Sequence, residues 1–210
     1  MQQGQRGFTL IEIAIVLVVI GLLLGGILKG QELITQGKIR GIEKELDGVS
    51  VAMLAYQDRY KALPGDDLNA KARWTDAENG DGDGEIDGAF NSATATDESR
   101  RLWHHLRRAG LIGGDTASAE QPVNPVGGRT GIQARLSDGT NTLIEGPVAC
   151  TTNLPAKIAN AIDAQQDDAK PDAGNVRGFG QSAANTPDFT TAVTAYADDG
   201  SKLYTLCKRV

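Results

Sequence analysis

Charged residues are almost absent from the segment Phe8 to Leu28, where Glu12 is the one titratable side chain among 21 residues. As an α-helix this segment would be about 31 Å long, which matches the hydrocarbon core of a membrane at about 30 Å. A helix in a soluble core is disfavoured, because the run is apolar on every face. The run is also too long for a secretory signal peptide, and no clear A-x-A site follows it. The segment therefore predicts a membrane-embedded helix.

Proline is absent from Met1 to Leu63, so the helix has no strong stop signal before Pro64-Gly65. In the second half of this segment, apolar side chains recur every three or four residues, which predicts one apolar helical face. These residues are Ile39, Ile42, Leu46, Val49, Met53, Tyr56 and Tyr60. We therefore predict a single helix of about 50 residues. The apolar face fits either packing against the chain's own domain or a coiled-coil seam with another helix.

An excess of basic residues is absent from residues 64–210, which carry 21 acidic and 14 basic side chains, a net charge of −7. Binding to phosphate backbones requires a basic patch, so we expect no nucleic-acid partner. No Ser-His-Asp arrangement and no Gly-rich phosphate loop stands out in the sequence. We therefore predict that the protein is not an enzyme and has no catalytic residues.

The part of the chain after Pro64 contains signals for both helices and strands. Apolar spacing predicts short helices within residues 98–112 and 154–168, and alternation predicts strands within residues 141–150 and 202–210. The segment ALPGDDLNAKARW, residues 62–74, is predicted to be a turn and irregular structure. Together these elements predict an α+β fold, in which a long N-terminal helix packs against a small antiparallel sheet.

The stretch NGDGDGEIDG, residues 79–88, resembles the D-x-[DN]-x-[DN]-G calcium loop. Phe90 occupies the twelfth position, where such loops carry a bidentate glutamate, so Glu98 is the candidate that completes the ligand set. The predicted ligands of a structural Ca²⁺ are Asn79, Asp81, Asp83, Glu85 (through its carbonyl), Asp87 and Glu98. Mg²⁺ is less suitable because it favours fewer protein ligands, and a bare acidic turn is the alternative.

Glu12 requires an explanation, because a carboxylate deep in an apolar membrane segment costs roughly 2.5–3.5 kcal/mol. One explanation is an acid that reaches back to the membrane surface, which lies close to the start of the segment. The other is an ion pair with a cation supplied by another chain, since such a pair is stronger in a low dielectric.

The string GFTLIE, from Gly7 to Glu12, followed by an apolar run, resembles the prepilin signature of the type IV pilin superfamily. The resemblance implies cleavage by a prepilin peptidase between Gly7 and Phe8, and N-methylation of Phe8. It also implies that Glu12 pairs with the Phe8 amine of a neighbouring subunit during filament assembly. The implied domains are a leader at residues 1–7, a transmembrane and stalk helix at 8–63, and a globular domain at 64–210.

The same resemblance predicts the location and partners of the protein. The chain would cross the bacterial inner membrane once, with a cytoplasmic N-terminus and a periplasmic globular domain, and then enter a filament. Its partners would be homologous pilin or pseudopilin subunits, the peptidase, an inner-membrane assembly platform and membrane lipid. In an oxidising compartment, Cys150 and Cys207 are predicted to form a disulfide bond.

We therefore expect a structural subunit of a type IV pilus (fimbrium) or of a type II secretion pseudopilus. The alternative is a membrane-anchored, calcium-dependent binding module of the periplasm, which would use the helix as a tether only. Substitution of Glu12 distinguishes the two, because only filament assembly requires this acid.

Overall fold

The computed structural model describes residues 9–210. The chain divides into two compact units, the first ending at Gly37 and the second comprising Lys38–Val210. Helix α1, Leu10–Tyr60, contributes residues to both units. This confirms the prediction of one long helix that ends shortly before Pro64-Gly65.

The two parts of α1 differ in how their apolar side chains are used. In the first unit, the apolar residues from Leu10 to Leu28 are exposed. In the second unit, the predicted apolar face is buried in the core, with Tyr60 at its margin. That core includes side chains from the sheet, such as Ile132, Leu154 and Leu206. The face therefore packs against the chain's own domain.

The main sheet of the second unit has five antiparallel strands in the order β1-β4-β7-β5-β6. A separate two-stranded ribbon pairs β2 with β3. The strands are β1 Thr130–Gln133, β2 Leu136–Ser137, β3 Thr142–Ile144, β4 Val148–Pro155, β5 Val176–Ala183, β6 Thr186–Asp188 and β7 Leu203–Arg209. The remaining helices are α2 Ala70–Arg73, α3 Glu98–Arg108 and α4 Ala156–Gln166. The predicted α+β arrangement of a long helix packed against an antiparallel sheet is confirmed.

The larger core cluster lies between the sheet and helices α1, α3 and α4, and Trp103 and Tyr56 are among its fully buried side chains. A smaller cluster contains Phe90 and the disulfide between Cys150 and Cys207. These two cysteines lie opposite each other on the paired strands β4 and β7. The predicted disulfide is confirmed, and it joins two neighbouring strands of the sheet.

Two local predictions differ from the structure. The predicted strand 141–150 is divided between β3 and β4, because Gly146 adopts φ +81° and Pro147 follows it, which breaks the extended run. The segment 62–74, predicted to be irregular, contains the short helix α2. A single helical turn has too few residues to produce a periodic signal.

Candidate functional site

The start of α1 is closed by a reciprocal set of hydrogen bonds between Thr9 and Glu12. The backbone N–H and the hydroxyl of Thr9 each donate to Glu12 Oε2 at 2.7 Å, and the Glu12 N–H donates to Thr9 Oγ1 at 3.3 Å. This arrangement is a capping box, in which the side chains satisfy amides that a helix start leaves without partners. The predicted cleavage and methylation residues, Gly7 and Phe8, lie outside the described residues.

The capping box was missed in the sequence, although the T-x-x-E spacing is its usual signal. It gives Glu12 a local structural role in addition to the predicted pairing. Both recorded side-chain bonds use Oε2, and no donor to Oε1 is recorded within residues 9–210. A carboxylate has about four acceptor positions, so Glu12 retains capacity for a further donor.

Helix α1 is long and apolar enough to cross a membrane, and none of its most apolar stretch is buried within the described chain. The exposed run lies beyond the capping box and continues through Leu28. Such a surface is far larger than the isolated apolar patches of ordinary soluble proteins. The segment is consistent with a membrane anchor.

A second group of functional interest lies in the second unit, where Asp66, Asp81 and Glu98 come together. One carboxylate oxygen from each lies within 4.8 Å of the others. Asp66 accepts hydrogen bonds from the N–H groups of Gly82 and Gly84. Glu98, at the start of α3, accepts from the N–H groups of Asp81 at 3.0 Å and Asp87 at 3.1 Å. We call these three residues the loop cluster.

Burial makes the loop cluster electrostatically unfavourable without a counter-charge. Asp66 and Glu98 are each 4% exposed. Burial raises the pKa of both carboxyl groups, and the neighbouring Asp81 raises them further, while backbone hydrogen bonds act in the opposite direction. Among the described residues, no Lys, Arg or His forms an ion pair with any of the three. An all-oxygen site of this kind fits a hard cation such as Ca²⁺.

Of the predicted calcium ligands, the structure brings together the carboxylates of Asp81 and Glu98. Asn79 Oδ1 instead accepts from the Lys71 N–H, and Asp83 Oδ1 accepts from the Glu85 N–H. The Glu85 side chain forms an ion pair with Arg135 at 3.1 Å. The Asp87 N–H donates to Glu98, and the Asp87 carboxylate is not part of the cluster.

Asp66 was not predicted as a ligand, because it lies outside the acidic repeat. The LPGDD turn carries it to the loop through Gly65, which adopts φ +94°. A Cβ on Gly65 would lie 2.5 Å from the Glu98 carbonyl oxygen, so only glycine permits this close approach. The Pro-Gly-Asp-Asp order of residues 64–67 was the signal in the sequence for a tight turn that carries two carboxylates.

His105, on α3, bonds the two other chain segments that contribute to the loop cluster, the LPGDD turn and the start of the acidic loop. Its Nδ1 accepts from the Gly65 N–H at 2.9 Å, and its Nε2 lies 2.9 Å from the Glu78 carbonyl oxygen. Since Nδ1 is an acceptor, the hydrogen-bond network assigns the proton to Nε2. Burial lowers the pKa of His105 to about 4, so the imidazole is neutral at physiological pH.

Comparison with known proteins supports the interpretation of the amino-terminal region. The family model described as the prokaryotic N-terminal methylation motif matches residues 2–28. No protein of curated function matches the sequence. A crystal structure of a type IV b pilin from Salmonella typhi is similar over 58% of this chain and 82% of that chain, at 19% identity and a TM-score of 0.29. An overlap at that TM-score carries no argument about function. Residues 2–28 therefore match the prokaryotic N-terminal methylation motif, and this match confirms the resemblance of the amino-terminal region to the type IV pilin superfamily.

Proposed function

We propose that the protein is a structural subunit of a type IV pilus-like filament or of a secretion pseudopilus, assembled through α1. The observation that carries the proposal is the match to the methylation motif at residues 2–28, whose apolar part forms the exposed beginning of α1. Such a helix requires lipid before assembly and neighbouring helices after it. The globular unit, held by its own core and disulfide, would be carried on the outside of the filament.

Glu12 is the residue that would set the axial position of one subunit against the next. The capping box leaves Oε1 available, so an incoming amine can bind without displacing the Thr9 bonds. The amine would be that of the neighbour's Phe8, exposed by cleavage after Gly7 and then N-methylated. In a medium of low dielectric, one pairing distance is strongly preferred over neighbouring offsets.

The capping box allows a test that separates charge from helix stability. Glu12→Gln removes the charge but retains a cap, because glutamine serves at this position of a capping box. Thr9→Ala removes the cap, at a cost of about 1 kcal/mol, but retains the charge. In cells that contain the prepilin peptidase, we expect E12Q to be processed but absent from the sheared filament fraction. T9A should be present in it.

Filament incorporation of E12Q at the wild-type level would refute the assembly role of Glu12. Mass spectrometry of the mature chain tests processing independently. We expect an N-methylated Phe8 as its first residue, and retention of residues 1–7 would contradict the proposal.

The proposal includes the topology that processing requires. The N-terminus would face the cytoplasm, α1 would cross the inner membrane, and the globular domain would lie in the periplasm. There it would be available to an assembly platform for extraction into the filament. The globular domain of residues 64–210 is large for a major pseudopilin, which favours a minor or specialised subunit.

The loop cluster is proposed to hold a structural Ca²⁺. Asp66, Asp81 and Glu98 would supply the carboxylate oxygens, and the ion would offset their mutual repulsion. Its effect would be to fix the loop 79–88 against the LPGDD turn and the start of α3.

A second candidate function is a membrane-anchored, calcium-dependent binding module. A surface groove of about 390 Å³ favours this function, because it would place a bound ligand beside the loop cluster. Its wall includes Asp66 of that cluster, Gly82 and Gly84 of the loop 79–88, and the apolar side chains of Tyr60 and Leu68. Under this function α1 would be a tether, so E12Q would leave ligand binding and localisation unchanged.

A further inference from the structure

A second group of three carboxylates lies at the carboxyl end of α4, remote in sequence from the loop cluster. Asp163 is in the last turn of the helix, and Asp167 and Asp168 follow directly after it. One carboxylate oxygen from each lies within 4.8 Å of the others. We call these residues the α4 cluster. The sequence shows no calcium-loop motif there.

Asp163 is the unusual member of the α4 cluster, because its side chain is fully buried. The Tyr196 hydroxyl donates to Asp163 Oδ2 at 2.5 Å. Asp163 Oδ1 is also buried, and no hydrogen-bond donor satisfies it. An unsatisfied carboxylate oxygen in the interior is unfavourable, because nothing replaces the hydrogen bonds that it made to water. An oxygen of the same carboxylate lies within 4.8 Å of oxygens of Asp167 and Asp168, so a cation held by the cluster is the candidate for the missing partner.

The surroundings of Asp163 add negative charge instead of compensating for it. Burial raises the pKa of its carboxyl group most, and the charges of Asp168 and Asp167 raise it further. The Tyr196 hydrogen bond lowers it, and so does the nearby Ala169 amide, although that N–H does not reach hydrogen-bond geometry with either oxygen. The carbonyl groups at the end of α4 contribute the negative end of the helix dipole.

No side chain of the described residues supplies the compensating cation. Within residues 9–210, no Lys, Arg or His nitrogen lies within 4 Å of a carboxylate oxygen of the α4 cluster. Lys170, the nearest basic residue in the sequence, contributes only its backbone N–H, which donates to Asp168 Oδ1 at 3.0 Å.

The loop between α4 and β5 holds the two remaining carboxylates in place. Asp167 Oδ2 accepts from the N–H groups of Asn175 and Val176 at the start of β5. These bonds use one oxygen of Asp167, and the Lys170 bond uses one oxygen of Asp168. The second oxygen of each remains available for a ligand bond.

We propose that Asp163, Asp167 and Asp168 bind a divalent cation, with Ca²⁺ as the preferred ion, which ties the end of α4 to the start of β5. The three carboxylate oxygens lie within 4.8 Å of one another, so a single ion with Ca²⁺–oxygen bonds of about 2.4 Å can reach all of them. Ca²⁺ is preferred because it accepts an irregular shell of six to eight oxygens, whereas Mg²⁺ demands near-ideal octahedral geometry. Water and backbone carbonyls would complete the shell. This site does not depend on the filament function or on the loop cluster.

The test measures Ca²⁺ bound per chain, using the full-length protein in a nonionic detergent. All proteins carry Asp81→Asn, which disables the loop cluster and leaves the α4 cluster intact. The test variant adds Asp168→Asn at an exposed position, where an amide of the same size replaces the carboxylate. The matched control adds Asp172→Asn, an exposed aspartate in the same loop that is outside the cluster.

We expect D81N and D81N/D172N to bind the same number of ions with the same affinity. D81N/D168N should lose one bound ion or bind it at least about tenfold more weakly, because ligand charge sets the affinity of such sites. Equal binding by D81N/D168N and D81N would overturn the proposal, as would the absence of any Ca²⁺ binding by D81N at millimolar concentration.

Terbium luminescence provides a readout tied to this position. Tb³⁺ replaces Ca²⁺ at oxygen sites, and Tyr196, bonded to Asp163, lies close enough to transfer excitation energy to it. In the D81N background, Tyr196→Phe should lower the tyrosine-sensitised emission at least about twofold without releasing the ion from Asp167 and Asp168. Emission that is unchanged by both Y196F and D168N would place the ion elsewhere and overturn the proposal.

Discussion

Acidification from pH 7.5 to pH 4 should lower the free energy of unfolding of the second unit, Lys38–Val210, through protonation of His105. The imidazole is fully buried and accepts the Gly65 N–H at Nδ1, so protonation at that atom breaks a hydrogen bond and creates a buried charge. Burial is the main cause of the low pKa, and His104, Arg101 and Arg73 lower it further, while the Glu78 carbonyl opposes them.

The magnitude follows from the two pKa values, 6.5 for the ordinary imidazole and about 4 in the fold. Below pH 6.5 the unfolded chain binds this proton and the folded chain does not, so stability falls as the pH falls. The expected loss is about 2 kcal/mol at pH 5 and about 3 kcal/mol at pH 4. The loss of stability reaches its full value only below the pKa of His105 in the folded protein.

The assay is denaturant unfolding of the full-length chain in detergent and calcium-free buffer. Tryptophan fluorescence follows it, because Trp103 of α3 is fully buried in the core. His105→Gln is the reference, since glutamine can accept one hydrogen bond and donate another but does not titrate. Buried acids with raised pKa values, such as Asp66 and Asp163, shift stability in the opposite direction over an overlapping range. Both proteins contain them, so the difference between the two isolates the imidazole.

The stability advantage of the wild type over H105Q should shrink by about 2 kcal/mol between pH 7.5 and pH 5. A difference that stays constant over this range would show that His105 is not held neutral by the fold.

Two further predictions concern the loop cluster and the disulfide. Asp81→Asn should abolish Ca²⁺ binding at the loop cluster. Asp83→Asn should retain it, because the Asp83 carboxylate accepts a hydrogen bond from the Glu85 N–H instead of joining the cluster. Calorimetric titration of both variants checks this, and loss of binding in D83N would favour the ligand set predicted from the sequence. Replacing both Cys150 and Cys207 by alanine should lower the free energy of unfolding by about 4 kcal/mol, as the chain-entropy model gives for a separation of 57 residues. Reversible denaturant unfolding measures this loss, and one under about 1 kcal/mol would contradict the entropic origin of the stabilisation.

Features that depend on short-range order were predictable from the sequence. The apolar run to Leu28 and the stripe from Ile39 to Tyr56 are periodic signals, and the structure exposes the first and buries the second. Helices α3 and α4 and the last strand were found for the same reason. The T-x-x-E capping box was equally local, although it was read only as part of a processing motif.

The sequence by itself determined the three longer helices, the part that is apolar enough for lipid, and the position of the acidic loop. Only the tertiary structure decided which carboxylates meet. Asp66 joins Asp81 and Glu98 because Gly65 lets the LPGDD turn approach α3. Asp163 is buried and accepts a hydrogen bond from Tyr196, which comes from a segment distant in sequence. Ligand geometry depends on such long-range contacts and on burial, and neither has a periodic signature in the chain.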